Sequence, residues 1–384
     1  MASKDGLVAV VDAERLLPGI HGLRGVAALA VVLYHLALIG KVAVPAGFGF
    51  IIRDFGLSVH LFFILSAFSL MHSTLGRIER TGWLNDYFIR RFFRIAPLFY
   101  CVLTFELLRQ IQGGGLSVGF DKIVTNLSFT FGLVPFTEIV WGGWSVGVEM
   151  LFYVVFPVIV LCSKSQRSAL AWLLISVVVS YSVRSLMHAE HLKGPVTRWD
   201  WSYFAFVPNF CFFIMGCFAY RLSRGLGREA SKAKTILSLA TIALLLALVV
   251  GGIGKYFKGA GRLDIIVWGV AFMMLCVWQS VWPSRWLANK YLEYFGERSF
   301  SMYLLHPIVM YYMKDSLAKI YAASAVYLGG YAYFFCAIVV LAVLLVLVEI
   351  TYRLIEIPGI NLGKKIIAKK RMVDLEKPGA TETA

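Results

Sequence analysis

Charge is scarce in this sequence. Only 15% of its 384 residues are Asp, Glu, Lys or Arg, while 59% are apolar and the mean hydropathy is +0.75. So little charge excludes a soluble globular domain, which could not hide that much apolar surface. Acidic residues are the rarer kind, 22 against 37 basic ones, for a net charge of +15. Cysteines number six (Cys101, Cys162, Cys211, Cys217, Cys276 and Cys336), all within apolar stretches and with no C-x-x-C pair. That pattern excludes a disulfide framework and argues against a zinc site, leaving small packing residues and no expected metal. The first ten residues include Lys4 and Asp5 and lack an apolar core, so no cleavable signal peptide is expected. Internal repeats and Ser/Pro-rich linkers are missing too, which leaves a single membrane domain over 1–384.

Apolar runs of spanning length are what the chain has in plenty. They predict an all-α, polytopic helix bundle of about ten membrane helices, near 20–39, 55–75, 88–109, 145–162, 168–186, 203–221, 235–254, 263–282, 299–319 and 327–354. The third is interrupted by Pro97 and Glu106 and the ninth by Pro307. With the N-terminus inside, 25 of the 37 Lys and Arg fall in cytoplasmic segments, so both termini are expected in the cytoplasm. The same bias explains the net charge without nucleic acid. The basic tail "KKIIAKKR" at 364–371 is expected against anionic lipid headgroups.

Ionisable residues inside the spans are costly and therefore informative. Arg24 and His35 are eleven positions apart in the first span, almost a whole number of turns, which puts both on one face about 16 Å apart. A snorkelling arginine and a packed histidine are the plain alternative. In "RRFFRIAP", Arg91 and Arg94 are i,i+3 neighbours at a membrane edge. They would serve there as anchors, or as forked binders of phosphate. Glu149 lies about five residues into the span that follows Trp144, at a depth comparable to His35. A Glu149–His35 contact would orient the imidazole and raise its basicity. His306, in "YLLHP", is expected deeper toward the cytoplasm than His35, and a core role suits it as well as a catalytic one. His60 and His72 are expected to be structural. His188 and His191 share an i,i+3 spacing without further ligands, and "TRWDWSYF" at 197–204 offers aromatic faces beside Asp200 for a sugar ring, or a plain interfacial belt.

Together these stretches resemble the acyltransferase-3 family of multi-pass membrane acyltransferases, over about residues 16–357. The resemblance rests on the Arg24–His35 spacing and on "LFFILSAFSL", "RRFFRIAP", "WSVGVEMLFY" and "YLLHP" in that order. Each motif is weak alone; five in family order are specific. Ala67 stands where the family has Gly, and His60 where it often has Asp, so roles for Ser66 and His60 stay open.

The resemblance implies O-acyl transfer, commonly acetyl, in a bacterial cytoplasmic membrane. The donor would be cytoplasmic acyl-CoA and the acceptor a hydroxyl of a glycan or lipid-linked molecule, with no permanently bound cofactor. Arg91 and Arg94, with Arg24, would hold the donor's phosphates. His35 would take the hydroxyl proton, with Glu149 as its orienter. His306 would steady the oxyanion or the thioester, and direct transfer and a transient acyl-histidine both remain open. A secondary transporter is the competing class, since buried His, Glu and Arg suit it too; the missing inverted repeat weighs against it.

Overall fold

A computed structural model describes residues 17–113, 115, 118–193, 201–227, 229–257 and 262–375, without the side chains of 188–193 and 373–375. Among the described residues there is no strand. The helices, in chain order, are α1 Pro18–Leu38, the short α2 Phe50–Asp54, α3 Ser58–Leu75, α4 Trp83–Gln112, α5 Phe120–Leu127, α6 Trp144–Cys162, α7 Gln166–Lys193 and α8 Trp201–Phe204. There follow α9 Phe206–Gly225, α10 Ser231–Val249, α11 Leu263–Val281, α12 Lys290–Glu297, α13 Ser299–Leu328, α14 Ala332–Thr351 and α15 Ile357–Leu375. A π-helical turn, Tyr352–Glu356, joins the last two.

Eight stretches among the described residues are long and apolar enough to cross a membrane, and the last, Ser299–Met372, holds both α13 and α14. Helices are the expected form, because an unpaired backbone group in lipid costs several kcal/mol and a helix pairs its own. Each of the ten apolar runs holds a helix. The run in α4 is too charged to count as a span by hydropathy: its 30 residues carry Asp86, Arg90, Arg91, Arg94, Glu106 and Arg109. Glu106 is paired with Arg109 at 2.9 Å one turn on. Pro97 and Pro307, read from the sequence as interruptions, both sit inside continuous helices.

α3 lies at the centre, with 72% of its spanning window buried, whereas α10 is peripheral with 11%. α1 packs on α3 and also on α12. The α1–α12 seam is made by glycine. A Cβ on Gly22 would lie 1.8 Å from the carbonyl oxygen of Leu287, one on Gly25 2.3 Å from that of Leu292, and one on Gly296 2.0 Å from that of His21. Only hydrogen at these positions lets the two backbones approach so closely. α12 therefore runs beside the first half of α1, with Leu292 against Gly25 and Gly296 against His21. The expectation that His306 lies deeper toward the cytoplasm than His35 is corrected by the contact between their side chains, which puts the two histidines at one level.

Candidate active site

The first halves of α1, α4 and α13, most of the length of α3, part of α6 and α15 line a cavity of about 300 Å³. Five cationic side chains line it: Arg24, Arg90, Arg91, Arg94 and Lys364. Among the described residues, Glu149 is the single carboxylate on the wall. On α4 the spacing is decisive, since positions 90, 91 and 94 fall within about 100° of arc on a helix. Arg24 Nη2 donates to Ser69 Oγ at 3.2 Å and reaches the Leu65 carbonyl at 3.5 Å, which holds its guanidinium against α3. The Nε of Arg91 is buried and without a hydrogen-bond partner among the described residues. A wall with five cations and one anion is built for a polyanionic ligand.

Glu149 does not reach His35. Its Oε1 accepts from Ser66 Oγ and from Tyr153 Oη, the latter at 2.5 Å, and Tyr87 Oη in turn donates to the Tyr153 carbonyl at 2.9 Å. Depth alone had paired Glu149 with His35; helix azimuth decides otherwise, because Glu149 faces α3 and shares the cavity with Arg24. Ser66, whose role the sequence left open, is thus a partner of Glu149.

The partner of His35 is His306, with His306 Nε2 3.0 Å from His35 Nδ1. The tautomers follow from the carbonyls. His306 Nδ1 lies 3.1 Å from the Met302 carbonyl, which can only accept, so the proton is on Nδ1 and Nε2 carries a lone pair. That lone pair accepts from His35 Nδ1–H, which also faces the Val31 carbonyl at 3.0 Å. His35 Nε2 is left as a bare basic nitrogen. His306 is fully buried and His35 half-buried. Neither lines the cationic cavity, so the accessible edge of His35 faces elsewhere.

Tyr303 stands between the cavity and His306 and was not picked out from the sequence. Its hydroxyl accepts from Ser145 Oγ at 2.7 Å and donates to the Gly142 carbonyl at 2.9 Å. Its ring lines the cavity and lies 5.8 Å from the His306 ring, centroid to centroid. The available signal was the i,i+3 spacing of Tyr303 and His306 in "YLLHP", which puts both on one face.

His60 is fully buried and packs edge-on against Tyr203 and Phe212, a structural placement. His72, expected to be structural, lines the cavity instead. Of the aromatic stretch, Tyr203 and Phe204 pack on Trp144 with ring centroids 5.3 and 5.0 Å away, and Trp201 is exposed. Residues 197–200, with Asp200, and the side chains of His188 and His191 lie outside the described residues. The basic tail is only partly a lipid-facing surface: Lys365, Lys369 and Lys370 are exposed, but Lys364 faces the cavity and Arg371 pairs with Asp86. On the connection into α6, burial raises the pKa of Glu138 above the usual carboxylate range.

Residues 17–348 match the model of a family described as an acyltransferase domain. The chain is 24% identical to the O-acetyltransferase OatA of Staphylococcus aureus, over 92% of this chain and 59% of that protein. It is 26% identical to the peptidoglycan O-acetyltransferase OatA of Listeria monocytogenes, over 77% of this chain and 50% of that protein. The chain thus spans between half and three fifths of the length of these curated relatives. No solved structure matches it.

Proposed function

The chain belongs to the acyltransferase-3 family, and from that premise we propose that it is an O-acetyltransferase that moves an acetyl group from cytoplasmic acetyl-CoA to a glycan hydroxyl. The observation that carries this reading is the cavity wall with five cations against one carboxylate. Coenzyme A presents a diphosphate and a phosphate monoester, which call for forked, charge-assisted contacts. Arg91 and Arg94 are assigned to the diphosphate. Arg24, deeper along α1, faces the part of the donor nearer the thioester. Glu149, held by Ser66 and Tyr153, supplies a counter-charge on the wall that Arg24 shares, in place of the orienting role first given to it.

His35 is the base. Its Nε2 takes the proton of the acceptor hydroxyl while that oxygen attacks the thioester carbonyl. The C–O bond forms, the C–S bond breaks, and the departing thiolate receives a proton in turn. The imidazolium keeps its Nδ1–H on His306 Nε2 and the Val31 carbonyl. The names of the relatives, one of them a peptidoglycan O-acetyltransferase, support a glycan acceptor.

Radiolabelled acetyl-CoA given to the purified protein in nanodiscs should lose its label to an added glycan or, slowly, to water. No transfer and no hydrolysis, with glycan or acetate uptake into vesicles instead, would make this a carrier. The proposed orientation puts the cavity mouth in the cytoplasm. A cysteine at Gly225, the end of α9, should then label only from inside, and one at Lys122 in α5 only from outside; the opposite pattern inverts the orientation. Arg91→Lys and Arg94→Lys keep the charge that sets topology and remove the fork. Each should raise KM for acetyl-CoA about tenfold or more while kcat changes little. Unchanged KM in both would make these arginines membrane anchors only.

A further inference from the structure

The match to the family model ends at residue 348, yet one wall of the cavity comes from α15, beyond that point. The sequence of α15 explains how. Ile360, Lys364, Ile367 and Arg371 recur at intervals of four, three and four, a stripe along one helix face. Ile360 and Lys364 line the cavity, Ile367 is buried, and Arg371 forms an ion pair with Asp86 in the first turn of α4. Beside the stripe, Gly359 and Gly363 let α15 sit directly on α4. A Cβ on Gly359 would lie 2.7 Å from the ring of Pro97, and one on Gly363 2.9 Å from Cβ of Phe93. α15 is therefore locked in register against the very helix that carries Arg90, Arg91 and Arg94. Arg371 engages Asp86 about 10 Å along the helix from Lys364. Lys364 itself pairs with no carboxylate among the described residues.

A donor with three phosphorus atoms needs more than the two arginines assigned to its diphosphate. Arg90 and Lys364 are the remaining cations on the wall, and they come from the two helices that the glycines join. We propose that Arg90 and Lys364 form a subsite for the donor's phosphate monoester, so that α15 selects donors by the phosphate they carry on the ribose. This rests on the acyl-CoA reading given above and deepens it.

The test compares acetyl-CoA with 3′-dephospho-acetyl-CoA, using the full chain in nanodiscs of phosphatidylcholine alone. Wild type should prefer acetyl-CoA about tenfold in KM, with equal kcat. Lys364→Ala should raise KM for acetyl-CoA toward that of the dephospho donor and leave the latter unchanged, and Lys364→Arg should restore the preference. Lys364 is exposed on its helix, so the Ala variant is expected to fold. Equal use of both donors by wild type, or an Ala variant weakened equally toward both, overturns the subsite while the acyl-CoA reading stands. An effect of Lys364→Ala that arises only when anionic lipid is added would make Lys364 a headgroup contact, which also overturns it. Failure to use either thioester would remove the acyl-CoA reading and this subsite with it.

Discussion

His35→Gln is expected to lower acetyl transfer by about 10²–10⁴-fold, the usual loss when a general base is removed. The variant should insert and accumulate normally, because Gln is close to His in volume and its side-chain amide can still donate to the Val31 carbonyl that His35 Nδ1 faces at 3.0 Å. What it loses is the Nε2 lone pair that takes the hydroxyl proton. KM for acetyl-CoA should hold, since His35 is not on the wall of the cationic cavity. Steady-state transfer kinetics with the glycan in excess measure both parameters. Near-normal kcat in His35→Gln would refute the base assignment and shift attention to Glu149.

His306→Ala should cost less, about 10–100-fold in kcat, as removal of a group that orients another usually does. His35 Nδ1–H would retain the Val31 carbonyl but lose the acceptor 3.0 Å away that holds the ring on its other side. His306→Gln is the informative companion, because its amide oxygen can accept the same N–H and should recover part of the rate. Rescue by Gln, with an unaltered KM and a pH–rate profile of the same shape, marks His306 as a positioning residue. A loss as deep as that of His35→Gln, with no rescue, would instead put His306 in contact with the reacting atoms.

The helices were legible because lipid leaves the backbone no other choice: apolar runs of spanning length became α1, α3, α6 and their fellows. The cationic face of α4 was legible too, since three arginines within five residues cannot avoid sharing an arc. The partner of His35 was not. Sequence counts depth along each helix from its own first residue, and that count assumes every helix starts at the same plane. That assumption fails here, because His306, seven residues after the first of α13, meets His35, seventeen residues after the first of α1. Azimuth was equally hidden: Glu149 has about the right depth for His35 but points at Ser66. Lys364 was misread as only one charge in a lipid-facing tail, although the stripe from Ile360 to Arg371 and the two flanking glycines carried the signal for a packed helix.

If the proposed reaction runs across the bundle, Tyr303 has an electrical meaning for the cell. A bundle that admits a polyanion from one face and a sugar from the other holds two openings within one insulating sheet. Joined, they would conduct, and each ion that passed would dissipate about 2.3 kcal/mol per 100 mV of membrane potential. The Tyr303 ring, between the cavity and His306, is pinned by Ser145 on α6 and by the carbonyl of Gly142. On the proposed reaction, only a neutral two-carbon fragment has to pass that point, covalently attached on both sides of its journey. In that proposed reaction the catalytic step would take the place of a pore, and the membrane would keep its charge while a glycan is modified.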